Sequence, residues 1–276
     1  MFHRLRQICL VAQDLDPVVA ELCDVFDVAV CHRDPEVGMF GLHNALMPVG
    51  HGFIEVVAPL APGKAAAAER HLERRGGDGG YMVITDTDDL TRWEPHLAAT
   101  GVRIAAPLEM GAYRGLQLHP RDTGGALLEI NTTRGNTGPD GTAIDDPYGP
   151  AGPDWRAHLR TGTVTGITGA RLQTADPERL GRRWAEILRR DLRSDSDGPD
   201  SDGPDSDGPG GGSFVLDLDN ARIRFEPDRD GRGEGLGGVD LAVVDADGLR
   251  RRAAARGLPV AGDHVVIGGL RFHIGG

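Results

Sequence analysis

The chain is poor in aromatic residues, in cysteine and in long apolar runs. Phe, Trp and Tyr make up 5% of its 276 residues, too few for a platform on which nucleic-acid bases stack. Positive charge is in the minority. A net charge of -12 and a pI of about 5.2 argue against nucleic acid or an anionic membrane surface as partner. No run approaches the roughly 18 apolar residues that span a bilayer, so no membrane association is expected. The opening Met1-Phe-His-Arg-Leu-Arg-Gln7 lacks the apolar stretch and cleavage site of a secretory signal. The three cysteines, Cys9, Cys23 and Cys31, are odd in number and show no metal-type spacing. Cys9 falls in an apolar strand and Cys23 in an apolar helix, which reads as ordinary buried thiols of a reduced, cytoplasmic protein.

What is present is one pattern that occurs four times: a short apolar strand, an Asp-containing turn and an amphipathic helix. The copies are Gln7-Ile-Cys-Leu-Val-Ala-Gln-Asp14, Tyr81-Met-Val-Ile-Thr-Asp86, Ala170-Arg-Leu-Gln-Thr-Ala-Asp176 and Val239-Asp-Leu-Ala-Val-Val-Asp245. Helices are expected over 17–26, 90–100, 177–190 and 248–256, each followed by short strands. Hairpins are expected at Asp219-Asn220 and at Gly268-Gly269. Such units bury one face only by pairing, which predicts an eight-strand curved sheet around a cavity for each pair. The fold class is therefore α+β, with tandem βαβββ units pairing into curved mixed sheets and helices outside. Periodicity disappears over 134–161, a Gly/Pro-rich linker pinned by Trp155, which separates an N-terminal domain (1–133) from a C-terminal one (162–276). The acidic Ser-Asp-Gly-Pro repeats within 194–212 lack calcium-loop spacing and read as a disordered insertion. The Arg-rich helices near 179–190 and 250–256 read as solvated faces.

Several stretches resemble the vicinal oxygen chelate superfamily, which includes glyoxalases, bleomycin-resistance proteins, methylmalonyl-CoA epimerases and extradiol dioxygenases. They are Val11-Ala-Gln-Asp-Leu15, Phe53-Ile-Glu-Val-Val57, Gly80-Tyr-Met-Val-Ile-Thr-Asp86 and the Gly-Gly-Ala-Leu-Leu-Glu129 that follows His119-Pro. The likeness is nearest to uncharacterised glyoxalase-like members. It implies that metal ligands point into a cavity from Gln7, Glu55, Tyr81 and Glu129. It also implies a divalent cofactor (Mg, Mn, Fe, Ni or Zn), a small-molecule substrate and, in some members, a homodimer. The implied activity is isomerase, epimerase or lyase chemistry at a carbon next to a carbonyl. The alternative is a metal-free protein that sequesters drugs, as bleomycin-resistance members do. The equivalent positions of the second half, Gly169, Arg224, Val239 and His273, lack a chelating set, which weakens an extradiol dioxygenase reading.

The residues bear on these roles directly. Gln7, Glu55 and Glu129 offer oxygen donors suited to a hard divalent ion. Glu55 alternates with Phe53 and Val57, so its carboxylate is either paired in a cavity or bound to something; a solvent-facing edge position is the plain alternative for Glu129. Tyr81 stands where metal-dependent relatives carry His; a neutral phenol is a poor ligand, so it either donates to a substrate oxygen or packs. Further candidates for substrate contact are His43, His51, Arg114 and His119. A lone His is usually structural, and Arg114 enters only because a guanidinium can clamp an anion.

Overall fold

The structure is a computed structural model that describes residues 2–135, 147–195 and 212–275. The first half contains strands β1 (His3–Val11), β2 (Leu42–Val49), β3 (Gly52–Pro59), β4 (Gly79–Thr87), β5 (Ile104–Met110), β6 (Tyr113–Leu118) and β7 (Leu127–Thr133). They form a seven-stranded sheet in the order β2-β3-β1-β4-β7-β6-β5. The second half contributes β8 (Val164–Thr174), β9 (Leu192–Ser194), β10 (Phe214–Asp217), β11 (Arg222–Pro227), β12 (Gly235–Val243), β13 (His264–Ile267) and β14 (Leu270–His273). These form a second seven-stranded sheet, β13-β14-β12-β8-β11-β10-β9. Both sheets are mixed. In the first, β1 runs antiparallel to β4 and parallel to β3; β12, β8 and β14 repeat that arrangement in the second.

Eight strands per sheet were expected and seven are seen. The eighth survives in each sheet as a single bridge, His32↔Leu46 in the first and Val260↔Val265 in the second. Pro35 follows one bridge and Pro259 precedes the other, and a proline without an N–H cannot extend a ladder.

The helices are α1 (Leu15–Phe26), α2 (Ala66–Arg75), α3 (Trp93–Ala99), α4 (Pro120–Thr123), α5 (Pro177–Leu188) and α6 (Ala246–Ala255). α1 buries Leu15, Val18, Val19, Leu22, Val25 and Phe26, a stripe at helical spacing that meets the sheet. α5 does the same with Leu180, Trp184, Ile187 and Leu188. The repeated Asp caps α5 and α6: Asp176 accepts from the Arg179 N–H at 3.0 Å and Asp245 from the Gly248 N–H at 2.8 Å. Asp86 departs from this role. It lies within β4 and takes a buried two-point contact from Arg4, 3.0 Å at Nε and 2.8 Å at Nη2. The cap of that unit passes to Asp89, which accepts from the Thr91 N–H.

One apolar core runs through both sheets and the helices α1, α5 and α6. Arginines read as solvated also tie the halves together. Arg183 donates to the carbonyls of Asp122 and Thr100, and Arg252 to that of Val25. Arg75 and Arg232 clasp each other's backbone: Arg75 donates to the carbonyls of Arg232 and Gly233, and Arg232 to those of Arg75 and Asp78. No helix among the described residues is long and apolar enough to cross a membrane. The acidic repeats at 196–211 and the linker residues 136–146 lie outside the described residues.

Candidate active site

A cavity of about 1240 Å³ opens on the concave face of the first sheet. Strand alternation decides what enters it. β1 turns Gln7 to the cavity, Cys9 and Val11 to a buried apolar cluster on the same face, and Ile8 and Leu10 to the helical core, so the whole strand is buried. β3 turns in Phe53, Glu55 and Val57, and β7 turns in Leu127 and Glu129. Gln7, Glu55, Tyr81 and Glu129 all line this one cavity, and His119 stands on its wall.

The carboxylates are fully engaged. Glu55 accepts from Gln7 Nε2 at 2.7 Å and from Asn44 Nδ2 at 2.6 Å. Glu129 accepts from the Tyr113 hydroxyl and from Gln117 Nε2 at 3.0 Å. Gln7 in turn accepts at Oε1 from the Tyr148 hydroxyl at 2.9 Å. Gly115 makes room for this arrangement, since a Cβ there would stand 2.9 Å from Glu129 Oε1. Burial pushes the pKa of both carboxyls up, Glu55 further through the nearby Glu129 charge. Among the described residues no lysine or arginine forms an ion pair with either of them. Two buried carboxylates without a cation must hold protons or bind one.

The register corrects the position taken for Tyr81. Glu55 pairs with Cys9 and Glu129 with Ile84, so the two-fold relating β1 to β4 matches Gln7 with Met82. Tyr81 is the extra residue of a bulge between Met82 and Gly80, and Arg6 is its counterpart between Leu5 and Gln7. The bulge still leaves Tyr81 on the cavity, its ring 5.0 Å from His71 and its phenol pushed by burial up to about 12. Met82 offers a thioether, a donor that a hard ion does not favour. Gln7, Glu55 and Glu129 offer oxygen donors of the type a hard divalent ion takes, with Gln7 presenting Nε2 to Glu55 and Oε1 to Tyr148.

The remaining candidates fall elsewhere. His43 alternates with Asn44 and faces away, beside the core residues Ala45 and Met47. Arg114 alternates with Tyr113 and is half exposed, 3.4 Å from Glu109. His51 sits in the β2–β3 turn, where its carbonyl receives Arg6. None of the three lines the cavity.

Four of the polar groups that hold the cavity's carboxylates and Gln7 escaped the sequence reading: Asn44, Tyr113, Gln117 and Tyr148. Asn44, Tyr113 and Gln117 lie in strands, where alternation could have reached them. Tyr148 was beyond its reach, because it lies in the linker, where no periodicity operates. It stacks on Phe53 at 4.8 Å, with Trp155 packed edge-on against the same ring at 5.1 Å. The linker thus seals one end of the cavity, and the clasped loop of Arg232, Gly233 and Glu234 walls another.

The family model of the glyoxalase-like domain matches residues 8–188 of this chain. The chain belongs to that family. The match runs from within β1 through α5, so it includes Glu55, Tyr81 and Glu129 but begins one residue after Gln7. Among solved structures, the glyoxalase-like chain resembles a hypothetical protein from Staphylococcus aureus at TM-score 0.65 and 11% identity, over 100% of this chain and 99% of that one. It also resembles a Mn(II)-bound glyoxalase from Novosphingobium aromaticivorans at TM-score 0.62 and 14% identity, over 98% of this chain and 80% of the other. A methylmalonyl-CoA epimerase of Streptomyces coelicolor aligns with 49% of this chain and 99% of its own, at 21% identity and TM-score 0.43. At these identities the likeness is one of fold. No curated protein matches the sequence.

Proposed function

We propose that this glyoxalase-like chain is an enzyme that takes a small carbonyl compound into the cavity and performs isomerase, epimerase or lyase chemistry at the adjacent carbon. The observation that carries this reading is the pair Glu55 and Glu129, buried without a cation and aimed at one cavity from symmetric strands. Gln7 Oε1, Glu55 and Glu129 would hold a divalent ion, which when bound polarises a carbonyl or enolate oxygen. A carboxyl whose pKa burial has raised is suited to take a proton from carbon and return it. The Tyr113 phenol, pushed well up by burial and the Glu129 charge, stays protonated and keeps Glu129 oriented. Tyr81 likewise stays protonated and can donate to a substrate oxygen. Apolar walls from Val57, Leu108 and Met110 exclude water from the reacting carbon.

The test is metal content by mass spectrometry after reconstitution with Mg, Mn, Fe, Ni or Zn, with solvent-deuterium exchange at the α-carbon of 2-oxo acids, hemithioacetals and acyl thioesters. Bound metal and exchange, both lost in Glu55→Ala and Glu129→Ala, are expected. Full turnover after chelation and in Glu55→Ala would sink the reading. No metal under any condition would turn attention to metal-free sequestration of a ligand.

A further inference from the structure

At the margin of the second sheet, Asp263 enters β13 beside His264, and His264 pairs directly across the antiparallel ladder with His273 of β14. The carboxylate of Asp263 reaches both rings, 2.8 Å to His264 Nδ1 and 3.1 Å to His273 Nδ1. One ligand atom from each of the three lies within 4.8 Å of the others. We propose that Asp263, His264 and His273 form a second divalent-metal site that takes a zinc-class ion, separate from the oxygen-donor set of the first sheet.

The geometry is close to what such an ion needs. Tetrahedral nitrogen and oxygen donors stand about 2.0–2.1 Å from zinc, hence about 3.3 Å apart. The two carboxylate–imidazole spacings fall just short of that and the third lies within 4.8 Å, so the site forms by rotation of the Asp263 and His264 side chains about a fixed hairpin. The rest is fixed. The Ile274 N–H donates to the Asp263 carbonyl at 2.8 Å. The hairpin turn is Gly268-Gly269, whose φ values of 53° and 68° are those of a tight primed turn. His273 is buried, and Nδ1 is its one hydrogen-bonded ring atom; Nε2 lies buried without a partner. The ring is therefore oriented by the atom that binds the ion.

Charge state and donor type agree with the geometry. Burial, helped by the Arg171 charge, holds His273 down to about 4, so its imidazole is neutral near pH 7. Burial pushes Asp263 up, but hydrogen bonds from both histidines outweigh it and hold the carboxyl at about 2. Binding through the two Nδ1 atoms replaces their hydrogen bonds to Asp263 and places the imidazole proton on Nε2. Two imidazoles and one carboxylate suit Zn, Co, Ni or Cu and disfavour Mg and Ca. The open fourth position faces solvent past Asp263, which is 66% exposed.

The experiment is titration of metal-free full-length protein with zinc against a chromophoric chelator, repeated with Co(II) for its tetrahedral absorption bands. Wild type is expected to bind zinc, and Asp263→Ala and His264→Ala to weaken it by about 100-fold, while Glu55→Ala and Glu129→Ala leave this site unchanged. His264→Asn, checked for an unaltered melting temperature, separates ligand loss from misfolding. Unchanged zinc affinity in folded His264→Ala and His264→Asn would overturn the proposal, as would zinc binding lost only with Glu55 or Glu129. Failure here leaves manganese uptake by the first sheet untouched, so the two readings are separable.

Discussion

The first sheet turns Glu55 and Glu129 into an open cavity, whereas the second turns His273 and Arg224 onto a layer of ion pairs. The frames are the same. β8 and β12 skip Thr168 and Gly237 just as β1 and β4 skip Arg6 and Tyr81, and the bulged residue precedes the inward position each time. By that register the four site positions of the second sheet are Gly169, Arg224, Gly238 and His273. Gly238 replaces the expected Val239 for the same reason that Met82 replaces Tyr81. Around them Arg171 and Arg224 both grip Asp240, at 2.6 Å and 2.7 Å, and Arg271 reaches Glu226 at 3.3 Å. A smaller cavity of about 590 Å³ remains on that face, lined by Arg171, Arg224, Asp240 and His273, but its charges are matched among themselves, whereas the carboxylates of the first cavity are not. Fold is shared between the halves, and chemistry follows from a handful of inward side chains.

Charge removal on the two faces should therefore have different consequences. Glu129→Gln is expected to cut turnover by about 10²–10⁴-fold with little change in stability, as loss of a proton-transfer group does. Arg224→Gln, at a site position of the second sheet, is expected to leave turnover unchanged. Steady-state rates of both variants decide it, and equal losses would break the comparison. Asp240→Asn reverses the pattern. It strands Arg171 and Arg224 half-buried without their shared carboxylate and is expected to cost about 1–3 kcal/mol of stability, read from a denaturant midpoint, at constant turnover.

The faces also carry opposite pH dependence. Glu55 and Glu129, raised by burial, bind protons more tightly folded than unfolded. In metal-free protein their contribution is complete below the ordinary carboxylate range and is lost as pH rises through their raised folded values. Around the second sheet, burial pushes Asp263 up, but hydrogen bonds from His264 and His273 outweigh it and hold the carboxyl at about 2. Its contribution is present above the ordinary range and is lost as pH falls through the depressed value. Denaturant midpoints against pH in chelator should show Glu55→Gln flattening the alkaline-side loss and Asp263→Asn the acid-side loss.

How much of this was legible depended on periodicity. Alternation alone put Glu55 on a face with Phe53 and Val57, and the Asp-turn repeat exposed the paired units. A bulge has no sequence signature, so Tyr81 and Val239 were each taken one residue off the register. The ion-pair layer was also hidden, because Arg171, Arg224 and Asp240 are far apart in sequence and look like ordinary strand charges. α2 escaped because it lies outside the repeat. Tyr148 escaped because a Gly/Pro-rich segment carries no pattern from which burial can be inferred.

Tyr148 gives the smallest expected effect and the sharpest use of the comparison, since its hydroxyl reaches the first face. Tyr148→Phe removes the 2.9 Å bond to Gln7 Oε1 and keeps the ring that stacks on Phe53. The loss of stability should be about 0.5–1.5 kcal/mol, the worth of one such bond. If that hydroxyl fixes which way the Gln7 amide points, divalent-ion affinity should fall by about 10-fold, as it does when a group that orients a ligand is deleted. Metal titration of the variant reads this directly. Unchanged affinity would reduce the linker to a cover over the cavity. A 10-fold loss would make it part of the site.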